Sequence, residues 1–196
     1  DPDYVIHRVE DITKCLARFP DVSQTLYLTS FGTDVKSRNP INDSCFQSTY
    51  FLHHTIALIN KIEVLGYWQL SDIDVESADS SEILFGGTGI LSTEGLKKTG
   101  FTALKRLAAM NTNLIASEED FLLTTNSINT YSIAMCNYLY LNEMFCINQV
   151  TAITPQTVDS AFKEPKIKDV HLSLGGIESG RYRVSTTILN PEHGSL

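Results

Sequence analysis

The sequence predicts an α/β segment followed by an antiparallel β module, with the change of character near residue 112. Three observations carry this reading. Before residue 112, apolar residues recur at helical intervals in three stretches, separated by two short apolar runs of strand length. The resulting order, helix–strand–helix–strand–helix, favours parallel strands covered by helices. Beyond residue 112, short apolar or alternating runs are punctuated by turn residues, the pattern of an antiparallel, sandwich-like arrangement. Residues 1–112 are therefore assigned to a partial (β/α) segment and residues 113–196 to a β-sandwich-like module.

Each element has its own justification. Val5, Ile6, Val9, Ile12, Leu16 and Ala17 lie at helical spacing and predict a helix over 3–18, which Pro20-Asp21 ends. Leu26-Tyr27-Leu28-Thr29 reads as a short buried strand, followed by a polar loop from Gly32 to Pro40. Asn42 or Asp43 suits the cap of a second helix, 43–61, which carries Phe46, Tyr50, Ile56, Ala57 and Ile59. Residues 64–70, Val-Leu-Gly-Tyr-Trp-Gln-Leu, form the second predicted strand. An irregular acidic stretch over 71–83 leads to Phe85-Gly86-Gly87-Thr88-Gly89. A third helix over 99–110 then places Phe101, Leu104, Leu107 and Ala108 on one side. Later strands are expected at 114–116, 121–124, 131–136, 170–174 and 181–185, with turns at 126–129 and 178–180. Only two βα units precede the module, whereas a complete (β/α)8 barrel has eight in about 250 residues.

Composition limits the function. Hydrophobic residues make up 42% and charged residues 19%, a balance that supports a packed core rather than disorder. No apolar run approaches the ~20 residues of a membrane-spanning helix. Asp1-Pro2-Asp3-Tyr4 has neither the basic start nor the apolar stretch of a signal peptide. The chain lacks an initiator Met, so it is expected to begin inside a longer protein. A net charge of −8 repels a phosphate backbone. The nearest cluster of cations, Lys97, Lys98, Lys105 and Arg106, reads as a solvated face, so direct nucleic-acid binding is not expected.

Cys15, Cys45, Cys136 and Cys146 show no C-x-x-C spacing and read as free buried thiols of a cytoplasmic protein, with a Cys136–Cys146 bridge as the alternative. The five histidines have no ligand spacing for zinc. The acidic residues Asp72, Asp74, Glu76, Asp79 and Glu82 fail the calcium-loop pattern, because Ser77 stands where the turn glycine belongs and Ile83 where the final Glu belongs. Gly86-Gly87-Thr88-Gly89 lacks the Lys-Ser/Thr of a phosphate loop and reads as a tight turn. His53-His54 reads as a partly buried helix face. No metal or cofactor is expected.

Five short motifs in order add a resemblance. They are Leu28-Thr29-Ser30-Phe31-Gly32, Arg38-Asn39-Pro40-Ile41-Asn42-Asp43-Ser44, Tyr67-Trp68-Gln69-Leu70-Ser71-Asp72, Phe85-Gly86-Gly87-Thr88-Gly89 and Leu96-Lys97-Lys98-Thr99-Gly100-Phe101. Together they resemble the last third of glycoside hydrolase family 39, the β-xylosidases and α-iduronidases, over roughly the whole chain. The resemblance implies the C-terminal portion of a TIM-barrel-like α/β domain, ending in its seventh and eighth strands, plus a small antiparallel β-sandwich.

It also implies where the chemistry departs. Retaining glycosidases use two carboxyl groups about 5 Å apart. The family nucleophile, the Glu of a Thr-Glu-Trp-like motif, is matched here by Ser30, which is neutral and cannot stabilise an oxocarbenium-like transition state as a carboxylate does. The acid/base belongs to an earlier barrel strand that this sequence does not contain. Asp34 is the nearest substitute acid, and a loop would have to fold it back. Asn42 and Phe85 stand where the family often has His, and Asp72 matches a position behind the pocket that would hold the loop by a hydrogen bond. Trp68, the single tryptophan, is either a sugar-stacking platform or barrel core.

Ser30, Asn42, Trp68, Asp72 and Phe85 are therefore the candidate ligand-binding residues, with no catalytic residue among them. Such domains without catalytic residues are similar to the C-terminal regions of bacterial AraC-type regulators. The expectation is a cytoplasmic effector-binding or self-association module with a sugar effector. DNA would be contacted only by a domain outside this chain, and homo-oligomerisation would be one way to cover an open strand edge. A fragment of a family 39-like hydrolase and a ligand-free scaffold are the competing readings.

Overall fold

Helix α1 (Tyr4–Leu16) forms over the predicted stripe, but Val9 is its single buried residue, because the stripe meets little more than the second helix. The computed structural model describes residues 3–33, 38–72, 82–143, 145, 153–164 and 167–193. Past the end of α1 the Gln24 amide donates to the carbonyls of Leu16, Phe19 and Val22, tying the following turn to the helix end.

Strands β1 (Tyr27–Phe31) and β2 (Val64–Tyr67) are parallel, with Tyr27 opposite Val64, Leu28 opposite Leu65 and Phe31 opposite Tyr67. A parallel pair needs a crossover, and α2 (Phe46–Leu58) supplies it. The helix begins later than the capping pattern suggests. Pro40–Asp43 forms a 3₁₀ turn, Cys45 occupies the cap, and the Ser44 hydroxyl accepts from the Phe46 N–H at 3.2 Å. Asn42 and Asp43 are not caps, because both side chains are drawn into the loop beyond β2.

Helix α2 is buried on several sides, with Phe46, Tyr50, Phe51, Ile56 and Leu58 in the core. Phe31 stacks on Tyr50 at 5.7 Å and meets Tyr67 edge-on at 5.6 Å, while Phe51 meets Tyr67 at 4.4 Å. Each such pair contributes about 0.5–1.5 kcal/mol beyond area burial. Helix α3 (Thr99–Ala108) packs on α2 through Gly100, whose N–H donates to Gln47 Oε1 at 3.2 Å. A Cβ there would lie 2.4 Å from the same oxygen, so the two helices approach this closely only over a glycine.

The antiparallel sheet has the order β3 (Asn113–Glu118), β4 (Phe121–Thr125), β5 (Tyr131–Met135). Central β4 buries Leu122, Leu123 and Thr124. The predicted turn at 126–129 is held by Asn126, whose Oδ1 accepts from the N–H groups of Ile128, Asn129 and Thr130.

Two strand predictions fail. Residues 170–174 and 181–185 join no ladder among the described residues, and Val184 is 85% exposed. A strand needs a neighbouring edge as well as an alternating pattern, and neither segment meets one. The described module is therefore a three-stranded sheet rather than a sandwich, and the two parallel strands do not close a barrel. A 3₁₀ helix, Pro155–Ala161, returns the chain to the core. There Asn142 N–H donates to the Ala161 carbonyl at 2.7 Å and Phe162 packs on Phe46.

The thiols also differ from expectation. Cys15 is exposed, since α1 faces outward, and Cys45 and Cys136 are half-buried free thiols. Cys146 lies outside the described residues. Burial, with Asp120 adding to it, pushes the Cys136 thiol up to about 11. Among the described residues no helix is long and apolar enough to cross a membrane.

Candidate functional site

The C-terminal ends of parallel strands are where α/β folds place their ligand sites. Ser30 and Trp68 stand at those ends. The pleat turns Phe31 into the core and leaves Ser30 exposed. Trp68 follows β2 directly, and its backbone N–H donates to the Phe31 carbonyl at 2.9 Å, which brings it alongside the end of β1. The Trp68–Gln69 peptide is cis. Trp68 is 62% exposed, so of its two readings the core one does not hold in this chain.

Beneath this face the loop after β2 is stitched to the glycine-rich turn. Ile90 and Leu91 donate to the carbonyls of Gln69 and Leu70, and the Asp72 N–H donates to the Leu91 carbonyl. Asp72 Oδ1 accepts from the Gly89 N–H at 2.7 Å, and Asp43 Oδ2 accepts from the Gly86 N–H at 2.6 Å. Gly86 takes a φ of 80°, and a Cβ on Gly87 would sit 2.4 Å from Asp72 Cγ. Phe85-Gly86-Gly87-Thr88-Gly89 is thus a tight turn clamped by two carboxylates.

The centre of the clamp is Lys98. Its side chain is 0% exposed, and its Nζ lies 2.6 Å from both Asp43 Oδ1 and Asp72 Oδ2 and donates to the Gly87 carbonyl at 2.8 Å. Both carboxylate contacts are ion pairs by distance, although Oδ1 of Asp43 and Oδ2 of Asp72 are not met along a favourable hydrogen-bond direction. Burial pushes the Asp72 carboxyl above its ordinary range. Lys98 and the Gly89 N–H pull it back, and the Asp43 charge adds to the rise.

The solvated basic face is corrected accordingly. Lys97, Lys105 and Arg106 are exposed, but Lys98 is interior. Nothing in the Lys-Lys pair distinguishes the two. The usable signal is the small-residue run that follows Lys98, where Thr99, Gly100 and Ala103 face inward.

Two further groups complete the floor. Asn42 is fully buried, donates from Nδ2 to the Gly86 carbonyl at 2.9 Å and accepts from the Thr33 hydroxyl. Tyr67 donates to the Thr88 carbonyl at 2.8 Å and accepts from Gln47 Nε2. Of the five candidate residues, then, Ser30 and Trp68 are exposed at the ends of adjacent strands. Asn42 and Asp72 are buried in the clamp around the glycine-rich turn, with Phe85 half-buried at the head of that turn. Asp34, Asp74, Glu76 and Asp79 lie outside the described residues.

The arrangement has a clear chemical consequence. Among the described residues, the clamp carboxylates Asp43 and Asp72 are both tied to Lys98 and to backbone N–H groups, so neither is placed as a nucleophile or a proton donor. Ser30 offers a neutral hydroxyl and Trp68 an aromatic face, both exposed to solvent. Among the described residues no set of three His, Cys, Asp or Glu side chains is grouped to hold a metal ion.

Two cavities lie elsewhere. One of about 320 Å³ opens between α1, α2 and the β3–β4 turn, near Asp3, Glu10, His53 and Tyr140. The other, of about 610 Å³, lies between the antiparallel sheet and residues 172–178, near Ile115, Leu123, Tyr131 and Leu172.

Comparison with known proteins gives a consistent picture. A family model described as glycosyl hydrolases family 39 matches residues 2–178. A monomeric β-xylosidase from Caulobacter crescentus CB15 superposes with a TM-score of 0.63 at 19% identity, over 73% of this chain and 28% of its own. The family 39 enzyme from Xanthomonas axonopodis pv. citri superposes at 0.58 with 22% identity, over 64% of this chain and 25% of its own. An uncharacterised HTH-type transcriptional regulator of Staphylococcus aureus is 21% identical over 176 residues, which are 89% of this chain and 22% of the relative. The chain thus spans less than a third of each of these proteins.

Proposed function

The chain belongs to glycosyl hydrolase family 39, and from that premise we propose that it is a non-catalytic effector-binding or self-association region of a bacterial transcriptional regulator of the AraC type. The observation that carries this reading is the state of the carboxylates. Ser30 stands at the end of β1, where the family resemblance puts the nucleophile, and Asp43 and Asp72 are held by Lys98. On this reading the Lys98 clamp is the floor of a former sugar site that has lost its reacting group. The regulator-named relative, which matches 89% of this chain, supports the same reading.

In this proposal a sugar lies on the Trp68 indole with a hydroxyl near Ser30. Asn42, Asp72 and Phe85 set the shape of the floor from below. The DNA contact belongs to a domain outside this chain, in keeping with a net charge of −8, and the protein works in the cytoplasm. Binding of effector would then shift the population of a regulatory state by its differential affinity.

The test uses the full-length protein. Pentoses, hexoses and xylo-oligosaccharides are titrated while the thermal midpoint and tryptophan fluorescence are followed, with an aryl xyloside assayed in parallel. A saturable midpoint rise without product, lost in Trp68→Ala, is the expected result. Turnover abolished by replacing one carboxylate would instead favour the second reading, a fragment of a family 39 hydrolase. That reading draws on the solved β-xylosidase, which shares this fold over most of the chain. No response to any sugar would leave self-association or a scaffold role.

A further inference from the structure

Helix α2 carries adjacent histidines that are held in opposite ways. His53 lies flat on Tyr138, with ring centroids 4.1 Å apart and planes 5° apart, and its Nε2 is 3.3 Å from Asp3 Oδ1. Asp3 also accepts from the Tyr140 hydroxyl at 3.4 Å. A proton on His53 thus has a carboxylate beside it.

His54 has no such outlet. It is fully buried, and its Nδ1 lies 2.9 Å from the Tyr50 carbonyl oxygen, an acceptor that requires the Nδ1–H tautomer. Its Nε2 is then a bare lone pair with no partner among the described residues. Rings enclose it: Tyr50 at 4.1 Å, His53 at 5.3 Å, Phe31 at 5.7 Å and Tyr138 at 6.5 Å. A proton arriving at Nε2 would place a cation in an apolar box without an acceptor.

The box also joins two parts of the fold. Tyr138 and Tyr140 belong to the segment that follows β5, and Tyr138 stacks on Phe46 as well as on His53. We propose that His54 is a proton-operated clasp: protonation at Nε2 drives its ring out of the box, frees the 138–140 segment from α2, and loosens the antiparallel sheet from the helical layer.

The charges around the clasp fix its direction. Around His54 and the rings that enclose it are His53 and Tyr50 on α2, Asp3 before α1, Tyr67 at the end of β2, and Tyr138 and Tyr140 after β5. At neutral pH the formal negative charge in this set is on Asp3, and its carboxylate is engaged by His53 and Tyr140. Burial, the largest influence, lowers His54 from 6.5 to about 4. The Tyr50 carbonyl and Asp3 raise it by less, and His53 lowers it further.

Because the closed form binds fewer protons than the open form, closure is fully favoured above about pH 6.5 and loses that advantage as pH falls toward 4. With one proton involved, the open-to-closed ratio rises by up to about tenfold per pH unit across that window.

Hydrogen–deuterium exchange of the full-length protein between pH 7.5 and 4.5, corrected for intrinsic exchange, tests this. Peptides covering residues 46–58 and 136–141 should lose protection by up to about tenfold per pH unit below 6.5, while 113–125 stays protected. His54→Phe should remove the pH response, and His53→Phe should keep it. Should His54→Phe fail to fold, His54→Asn, which still donates toward the Tyr50 carbonyl and does not titrate, takes its place. An unchanged response in the non-titrating variant, or flat protection in the wild type, would overturn the clasp.

Discussion

Replacing Lys98 by Met removes one charge and little volume, and it isolates what the buried ammonium does. In the wild type Nζ sits 2.6 Å from each of two carboxylates, one on an Asp72 side chain that is 0% exposed and one on an Asp43 side chain that is 13% exposed. Breaking a buried pair by removing one partner costs about 3–5 kcal/mol, because the other charge stays in a medium that solvates it poorly. Two carboxylates are orphaned here and the Gly87 carbonyl loses its donor, so the upper half of that range is expected. For a domain of this size each kcal/mol lowers the thermal midpoint by about 2–4 °C, so the loss should reach about 10 °C or more.

The pH dependence identifies the cause. Asp72 is already pushed up by burial, and Lys98 is what pulls it back. Without Lys98 the folded carboxyl rises further above its unfolded value, so the folded variant binds more protons than the unfolded chain. Its deficit therefore shrinks as pH falls from 7 toward the ordinary carboxylate range. Urea unfolding of wild type and Lys98→Met at pH 7 and pH 5, followed by circular dichroism, reads both effects. A loss below about 1 kcal/mol at pH 7, the worth of a surface pair, would refute the buried-hub argument. So would a deficit that does not shrink at pH 5.

Four further outcomes are expected. Gly87→Ala, whose Cβ would stand 2.4 Å from Asp72 Cγ, should lose at least about 2 kcal/mol in the same unfolding assay. Gly180→Ala, which meets only the Tyr182 ring at 3.9 Å, should stay within about 0.5 kcal/mol of wild type. Asn126→Ala removes the acceptor of three N–H groups and should cost about 1–2 kcal/mol, seen as faster amide exchange across the β4–β5 hairpin. Trp68→Ala should shift the thermal midpoint of the unliganded protein by no more than about 2 °C, because the indole is largely in solvent. A larger shift would return Trp68 to the core.

The elements that were legible in the sequence are those whose pattern is local. Helices α1 and α3 and strands β3 to β5 announce themselves by periodicity and by the turn at Asn126. The segments at 170–174 and 181–185 have the same local pattern and form no strand, because the missing ingredient is a neighbouring edge that no local window contains. Lys98 failed for a related reason. A lysine is buried only where carboxylates from distant segments meet it, and those partners, Asp43 and Asp72, look like a helix cap and a loop acid when read alone.

The same distinction bears on function. Position 30, where the family resemblance implies a carboxylate, can carry a hydroxyl without disturbing the fold, since its side chain is exposed at a strand end. Asp72, Asp43 and Lys98 cannot change singly, since each would leave the others charged and buried. A chain released from hydrolysis, as proposed for this one, is therefore expected to lose the first kind of residue and keep the second. The buried hub is needed by the fold whether or not a ligand binds nearby. It is Trp68 that bears on whether a ligand still rests there, because an indole left largely in solvent adds little to folding. Its removal should cost sugar affinity and not stability if an effector is bound, and neither if the site is vestigial.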